Sequence, residues 1–117
     1  MSKNDAFWNL IDQMVESSQI VIDREKGTSH PKYPETIYEV DYGYLKNTTS
    51  MDGAGIDVWR GTANTGRVNA VICIVDLLKR DSEIKLLIGC TEEEKEKIEK
   101  FHNRYENMKG ILINREE

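Results

Sequence analysis

Apolar residues Phe7, Leu10, Ile11, Met14 and Val15 recur at helical spacing, which predicts an amphipathic helix over 4–17. Ser2 and Asp5 supply the capping-box residues at its start. "SQIVID", 18–23, is rich in β-branched residues and reads as a short strand. The pattern then breaks. "REKGTSHPKYPE", 24–35, holds one glycine, two prolines and five formal charges, and predicts a long loop. Alternation returns in "TIYEVDYGYL", 36–45, with three tyrosines. "NTTSMDGAG" is a second loop, "IDVWRG" a strand and "TANTG" a turn. "RVNAVICIVDLLK" predicts a long strand, apolar on both faces. "RDS" turns it, and "EIKLLIG" returns as its hairpin partner.

Thr91 opens a second helix, with Glu94 three residues on and acids through the first turn. Ile98, Phe101, Tyr105 and Met108 form its apolar stripe, and Gly110 is expected to stop it. "ILI", 111–113, is a last short strand. The expected class is α+β: a small, mainly antiparallel sheet or barrel with one helix near each end. The 117 residues are expected to form one domain, 1–117, with no repeat and no low-complexity tract.

Charge narrows the partners. Charged residues make up 32% of the chain and the net charge is −5, against a nucleic-acid or membrane-surface binder, which needs a basic face. A polyanion held through a metal ion is compatible with this balance, because the ion brings the positive charge. No apolar run nears the roughly 20 residues of a membrane helix, and "MSKNDAFWNL" has no signal-like apolar stretch. Cys73 and Cys90 sit among apolar residues and read as reduced thiols. These features predict a cytoplasmic protein.

The candidate chemistry lies in a few places. In "SMDGAGIDVW", Asp52 and Asp57 flank a glycine turn. The turn can aim both carboxylates at one hard cation such as Mg²⁺. It can equally be an ordinary Asp-Gly turn, which spacing alone favours. Lys32, Tyr42, Lys85 and Tyr105 are scattered, and each reads first as a solvated lysine or a half-buried tyrosine. Alternation places Glu83 and Lys85 on one strand face, either plain solvent or a polar site. His30 and His102 have no partners at zinc-ligand spacing.

"DYGYLKNTTSMDGAGIDVW" resembles the core of soluble family I inorganic pyrophosphatases. Tyr42, Gly43 and Tyr44 match that family's Asn-Tyr-Gly-Tyr strand, and Asp52 and Asp57 match the first and last acids of its Asp-x-Asp-Pro-x-Asp signature. "VIDREKGTSHPKY" resembles the early strand and loop, with Asp23 at an acid position and Lys32 at a phosphate-binding lysine. "LLKRDSEIKLLIG" resembles the metal-binding hairpin, and "FHNRYENMKG" the last helix.

The resemblance implies a small oligonucleotide-binding-type barrel flanked by an N-terminal and a C-terminal helix. It implies Mg²⁺-dependent hydrolysis of pyrophosphate or a related phosphoanhydride. Asp52, Asp57, Asp81 and Glu83 would be the metal ligands. Lys32, Tyr42, Lys85 and Tyr105 would bind substrate. Asp57, Tyr42 and Lys85 would carry the catalysis. A homo-oligomer is expected for so short a chain. The chain departs from the family pattern at Ala54, where the middle acid would stand, and at Gly55, where the proline would stand. Glu106 replaces a lysine, and the strand that carries a phosphate-binding arginine is missing between Lys32 and Tyr38. These departures open a second expectation, a non-catalytic binder of a phosphate-rich ligand.

Overall fold

A computed structural model describes residues 3–50 and 53–116. The elements run α1 (Lys3–Glu16), β1 (Ile20–Arg24), β2 (Asp41–Leu45), β3 (Ile56–Arg60), β4 (Val68–Asp76), β5 (Asp81–Ile88), α2 (Glu92–Asn103) and β6 (Met108–Asn114). The strands pair in the order β1-β2-β3-β5-β4-β6. Every pairing is antiparallel except β3 with β5, which is parallel. The α+β class with a helix near each end is therefore the class observed.

Both faces of the sheet are covered, which explains the apolar runs in β4 and β5. One face buries Trp59, Ala70, Ile72, Ile74 and Leu87 with Tyr38, Val40 and Cys90, beneath Ile98 of α2. The other buries Leu45, Val58, Val68, Val71, Leu86 and Ile88 beneath Trp8 and Ile11 of α1. Successive residues of a strand point to opposite faces, so β5 supplies Leu87 to the first core and Leu86 to the second.

Several boundaries differ from the sequence expectation. The helix stripe that faces the sheet is Trp8 and Ile11, whereas Phe7, Leu10 and Met14 are exposed. Apolar spacing alone does not say which arc of a helix meets a core. The expected cap residue Ser2 lies outside the described residues. The strand expected from Thr36 begins only at Asp41, and the stretch before it pairs within the loop through Ser29 and Ile37.

Gly110 does not stop α2. The helix ends at Asn103, whose side-chain amide donates to Gly110 O and whose Oδ1 accepts from Gly110 N, and Gly110 pairs with Ile74 inside β6. The open edge of β4 thus claims the segment as a strand. The Thr91–Glu94 capping box is present in full. Glu94 is further held by the Thr62 N–H and hydroxyl.

Candidate active site

Three strands bring the site together. Tyr42 of β2 lies opposite Trp59 of β3, and Tyr44 lies opposite Asp57. The parallel pairing of Trp59 with Leu87 sets β5 beside β3 on this face. Alternation then places Asp57, two residues before Trp59, near Lys85, two residues before Leu87. Lys85 Nζ lies 2.7 Å from Asp57 Oδ2 and 2.8 Å from Glu83 Oε1. It also donates to the Tyr42 hydroxyl. That hydroxyl in turn donates to the same Asp57 oxygen at 2.6 Å.

The electrostatics follow from burial and pairing. Lys85 is 8% exposed, and burial by itself would lower its pKa. Tyr42, Asp57 and Glu83 outweigh that effect and raise it, so the ammonium stays charged. Burial raises the Tyr42 phenol well above its ordinary value, which keeps it a hydrogen-bond donor. The two carboxylates exceed the one ammonium, so the trio Asp57, Glu83 and Lys85 carries a negative charge. Tyr42 and Lys85 engage a single oxygen of Asp57, Oδ2, and leave Oδ1 for another partner.

An aromatic floor supports this cluster. Tyr42 meets Trp59 edge-on at 4.6 Å, Tyr38 lies 5.3 Å from Tyr42, and Phe101 of α2 packs against both Trp59 and Tyr38. Below it, Trp59 Nε1 donates to His102 Nε2 at 3.0 Å. Burial pushes the His102 imidazole down to about 3, with the Lys85 and Arg104 charges adding to the effect. His102 is therefore a neutral core residue.

The sequence candidates divide accordingly. Asp57, Tyr42, Lys85 and Glu83 converge. Asp81 shares their strand face but sits opposite Asp76 at the hairpin mouth. That is four residues, about 13 Å of strand, from Lys85. Lys32 is exposed, and its backbone N–H donates to His30 Nδ1. Tyr105 follows α2, half exposed, with its hydroxyl 3.4 Å from Thr36 Oγ1. Asp52 lies outside the described residues. Among the described residues beside it, Ser50 N donates to Ala54 O and Gly53 N donates to Ser50 O.

Sequence reasoning missed Tyr38, Trp59 and Arg24, and it gave His102 no role. The aromatics carried a weak signal in their β-strand spacing. Arg24 carried none, because its direction depends on an irregular pairing of β1 with β2.

Among the described residues, no group of three or more His, Cys, Asp and Glu side chains converges. The carboxylates that do converge, Asp57 and Glu83, are each paired with the Lys85 ammonium, so a cation such as Mg²⁺ would have to take their remaining oxygens, with water and phosphate as its other ligands.

The fold and the acid–lysine–tyrosine cluster define a class: an α+β scaffold with a polar site on one face of a mainly antiparallel sheet. Solved structures of inorganic pyrophosphatases share the scaffold. The Neisseria gonorrhoeae inorganic pyrophosphatase aligns with a TM-score of 0.59 at 18% identity, over 86% of this chain and 84% of its own. The Helicobacter pylori inorganic pyrophosphatase aligns at 0.55 and 15%, over 84% and 85%. An inorganic phosphatase from Anaplasma phagocytophilum aligns at 0.57 and 15%, over 81% and 82%. The chain therefore has a pyrophosphatase-like fold. No family model matches it, and no curated protein sequence does.

Proposed function

We propose that the protein is a Mg²⁺-dependent phosphoanhydride hydrolase with inorganic pyrophosphate as its leading substrate. The observation that carries this reading is Lys85 Nζ, held within 2.8 Å of both Asp57 and Glu83 on a pyrophosphatase-like scaffold. Water adds to one phosphorus, the bridging P–O bond breaks and two phosphates leave. Mg²⁺, when bound, polarises phosphoryl oxygens and acidifies water. Asp57 Oδ1 and Glu83 would hold it.

The chain's own groups do the rest. Lys85 and Tyr42 hold Asp57 in place, and the Lys85 charge attracts a phosphoryl oxygen. Ala54 offers no carboxylate to take the proton from the attacking water, and Asp57 is held by Tyr42, Lys85 and the ion, so that proton passes to solvent. A general base supplies about 10²–10⁴-fold in rate, so its loss makes a slow enzyme. The test is phosphate release from pyrophosphate with Mg²⁺. A wild-type rate no greater than that of Asp57→Asn would falsify the catalytic reading.

A second reading is favoured by one feature. Both converging carboxylates are already paired with Lys85, as in a site that holds a ligand without turning it over. Pyrophosphate binding by calorimetry, with no phosphate released over hours, would select it. In either reading we take the protein to be cytoplasmic, a single domain and homo-oligomeric, with no nucleic-acid or membrane partner. No helix among the described residues is long and apolar enough to cross a membrane.

A further inference from the structure

The pairing of β1 with β2 is regular from Ile20 to Ile22 and then slips. Ile22 lies opposite Gly43, but the next partner, Tyr42, takes Arg24 rather than Asp23. The extra residue, Asp23, is a β-bulge, and bulges re-aim side chains beside functional sites. Simple alternation would have set Asp23 opposite Tyr42 and turned Arg24 to the other face. The bulge instead puts Arg24 in one row with Tyr42 and Trp59, on the face that holds Lys85.

Among the described residues the guanidinium placed there has no short hydrogen bond. Arg24 Nε is buried and has no hydrogen-bond partner. Nη1 has only long contacts with its neighbour, 3.4 Å to Asp23 O and 3.7 Å to an Asp23 carboxylate that is half exposed. The charges of Arg24 and Lys85 both act on the Tyr38 hydroxyl. Burial raises that phenol, and both cations oppose the rise. The Tyr38 ring lies 5.3 Å from that of Tyr42, beside the Lys85 cluster.

The surroundings of Arg24 are basic. His30 stacks on Tyr38, its rings 6.3 Å apart and 14° from parallel. Its Nδ1 accepts from Lys32 N, so the ring proton belongs on Nε2. Burial lowers the His30 pKa, and the nearby Arg24, Lys32 and Lys79 charges lower it further. Arg24, Lys32 and Lys79 stand on this side of the site, with Asp23 as the acid next to Arg24, whereas the Asp57–Glu83–Lys85 trio is negative. A ligand with one end on a cation held by the trio and another end on Arg24 must carry two anionic groups.

We propose that Arg24 is the anion-binding arginine of this site and grips the phosphoryl group of a diphosphate farther from Lys85, with His30 and Lys32 beside it. The identity of that ligand rests on the function proposed above, but the placement of Arg24 does not. Guanidinium suits the task because its planar fork matches two phosphate oxygens, which a lysine cannot do.

The experiment is pyrophosphate and orthophosphate titration of the wild type, Arg24→Gln and Arg24→Lys, by calorimetry with and without Mg²⁺. The Arg24 side-chain Nε–H resonance of the wild type is followed in the same titrations. We expect Arg24→Gln to weaken pyrophosphate binding by about 10- to 100-fold, Arg24→Lys to fall between, and orthophosphate to change less. The Nε–H resonance should shift on addition of pyrophosphate.

An unmoved resonance, or pyrophosphate affinity within about twofold of wild type in Arg24→Gln, overturns the inference. Hydrolysis that is equally fast in wild type and Arg24→Gln does so too, and leaves the proposed function standing. Tight binding without hydrolysis, lost in Arg24→Gln, supports the inference and removes the catalytic reading. No binding of either anion to the wild type overturns both.

Discussion

Glu83 and Lys85, two residues apart on β5, meet on one face with their charged ends 2.8 Å apart. Strand alternation brings them together, and β3 closes the group by adding Asp57. Both carboxylates depend on the ammonium. Lys85→Met should therefore cost on the order of 3 kcal/mol, as when a buried ion pair loses one partner. Urea unfolding at neutral pH measures it. Adding Glu83→Gln should restore part of the loss, because a like-charge conflict is removed. Strictly additive effects would show that the two residues are not coupled.

His102 sets a pH dependence. Its pKa is about 3 in the folded protein against 6.5 for an unperturbed imidazole. Between those values the unfolded chain binds more protons, so stability is full above about pH 6.5 and falls as pH drops towards 3. The slope for one such group approaches about 1.4 kcal/mol per pH unit. The lowered carboxyls, Asp12 and Glu94, have ordinary values of 3.8 and 4.5, so their contribution is lost only at more acid pH. Urea midpoints between pH 7 and 5 should fall for wild type and fall less for His102→Gln. His30 titrates alike in both proteins. Parallel curves would count against a buried neutral imidazole.

Glu94 joins α2 to the β3–β4 connection. It accepts from Thr91 N at 2.8 Å and from Thr62 N and Oγ1 at 3.1 and 3.0 Å. Glu94→Ala breaks the capping box and orphans the Thr62 N–H, at about 2 kcal/mol. Glu94→Gln should lose less, since an amide oxygen still accepts. Thermal melts of the two variants give the order, and an Ala variant as stable as wild type refutes it.

Gly43 has no room for a side chain. A Cβ there would stand 1.8 Å from Val21 O on the neighbouring strand. Gly43→Ala must push β1 from β2, and with it the bulge that carries Arg24. We expect little soluble folded protein, and near-wild-type circular dichroism and melting would contradict the pairing.

The face opposite the site is apolar at the surface. Phe7, Leu10, Ile84 and Ile111 are 44%, 65%, 46% and 66% exposed, and Phe7, Met14, Cys73 and Ile84, together with Glu83 of the site, line a groove of about 600 Å³. Monomers rarely expose contiguous patches above a few hundred Å². Sedimentation equilibrium should give a mass above that of one chain, and Leu10→Lys with Ile111→Lys should lower it to the monomer. A wild-type monomer at micromolar concentration removes the homo-oligomer.

What was legible in the chain was local. Alternation in "EIKLLIG" gave the Glu83–Lys85 face, and "TEEE" gave the capping box, because strand period and helix-end hydrogen bonds act over a few residues. Gly110 misled, since a glycine that can end a helix can also pass close to Ile72 in a strand.

The sequence by itself determined the class of fold, the hairpin, the second helix and which residues carry charge. The tertiary structure decided which of them meet. Parallel pairing of β3 with β5 set Asp57 beside Lys85, the bulge at Asp23 turned Arg24 towards Tyr42, and Trp59 made His102 a core residue. Local pattern fixes the face on which a side chain stands. Only the register between distant strands fixes its neighbours, and one inserted residue changes them.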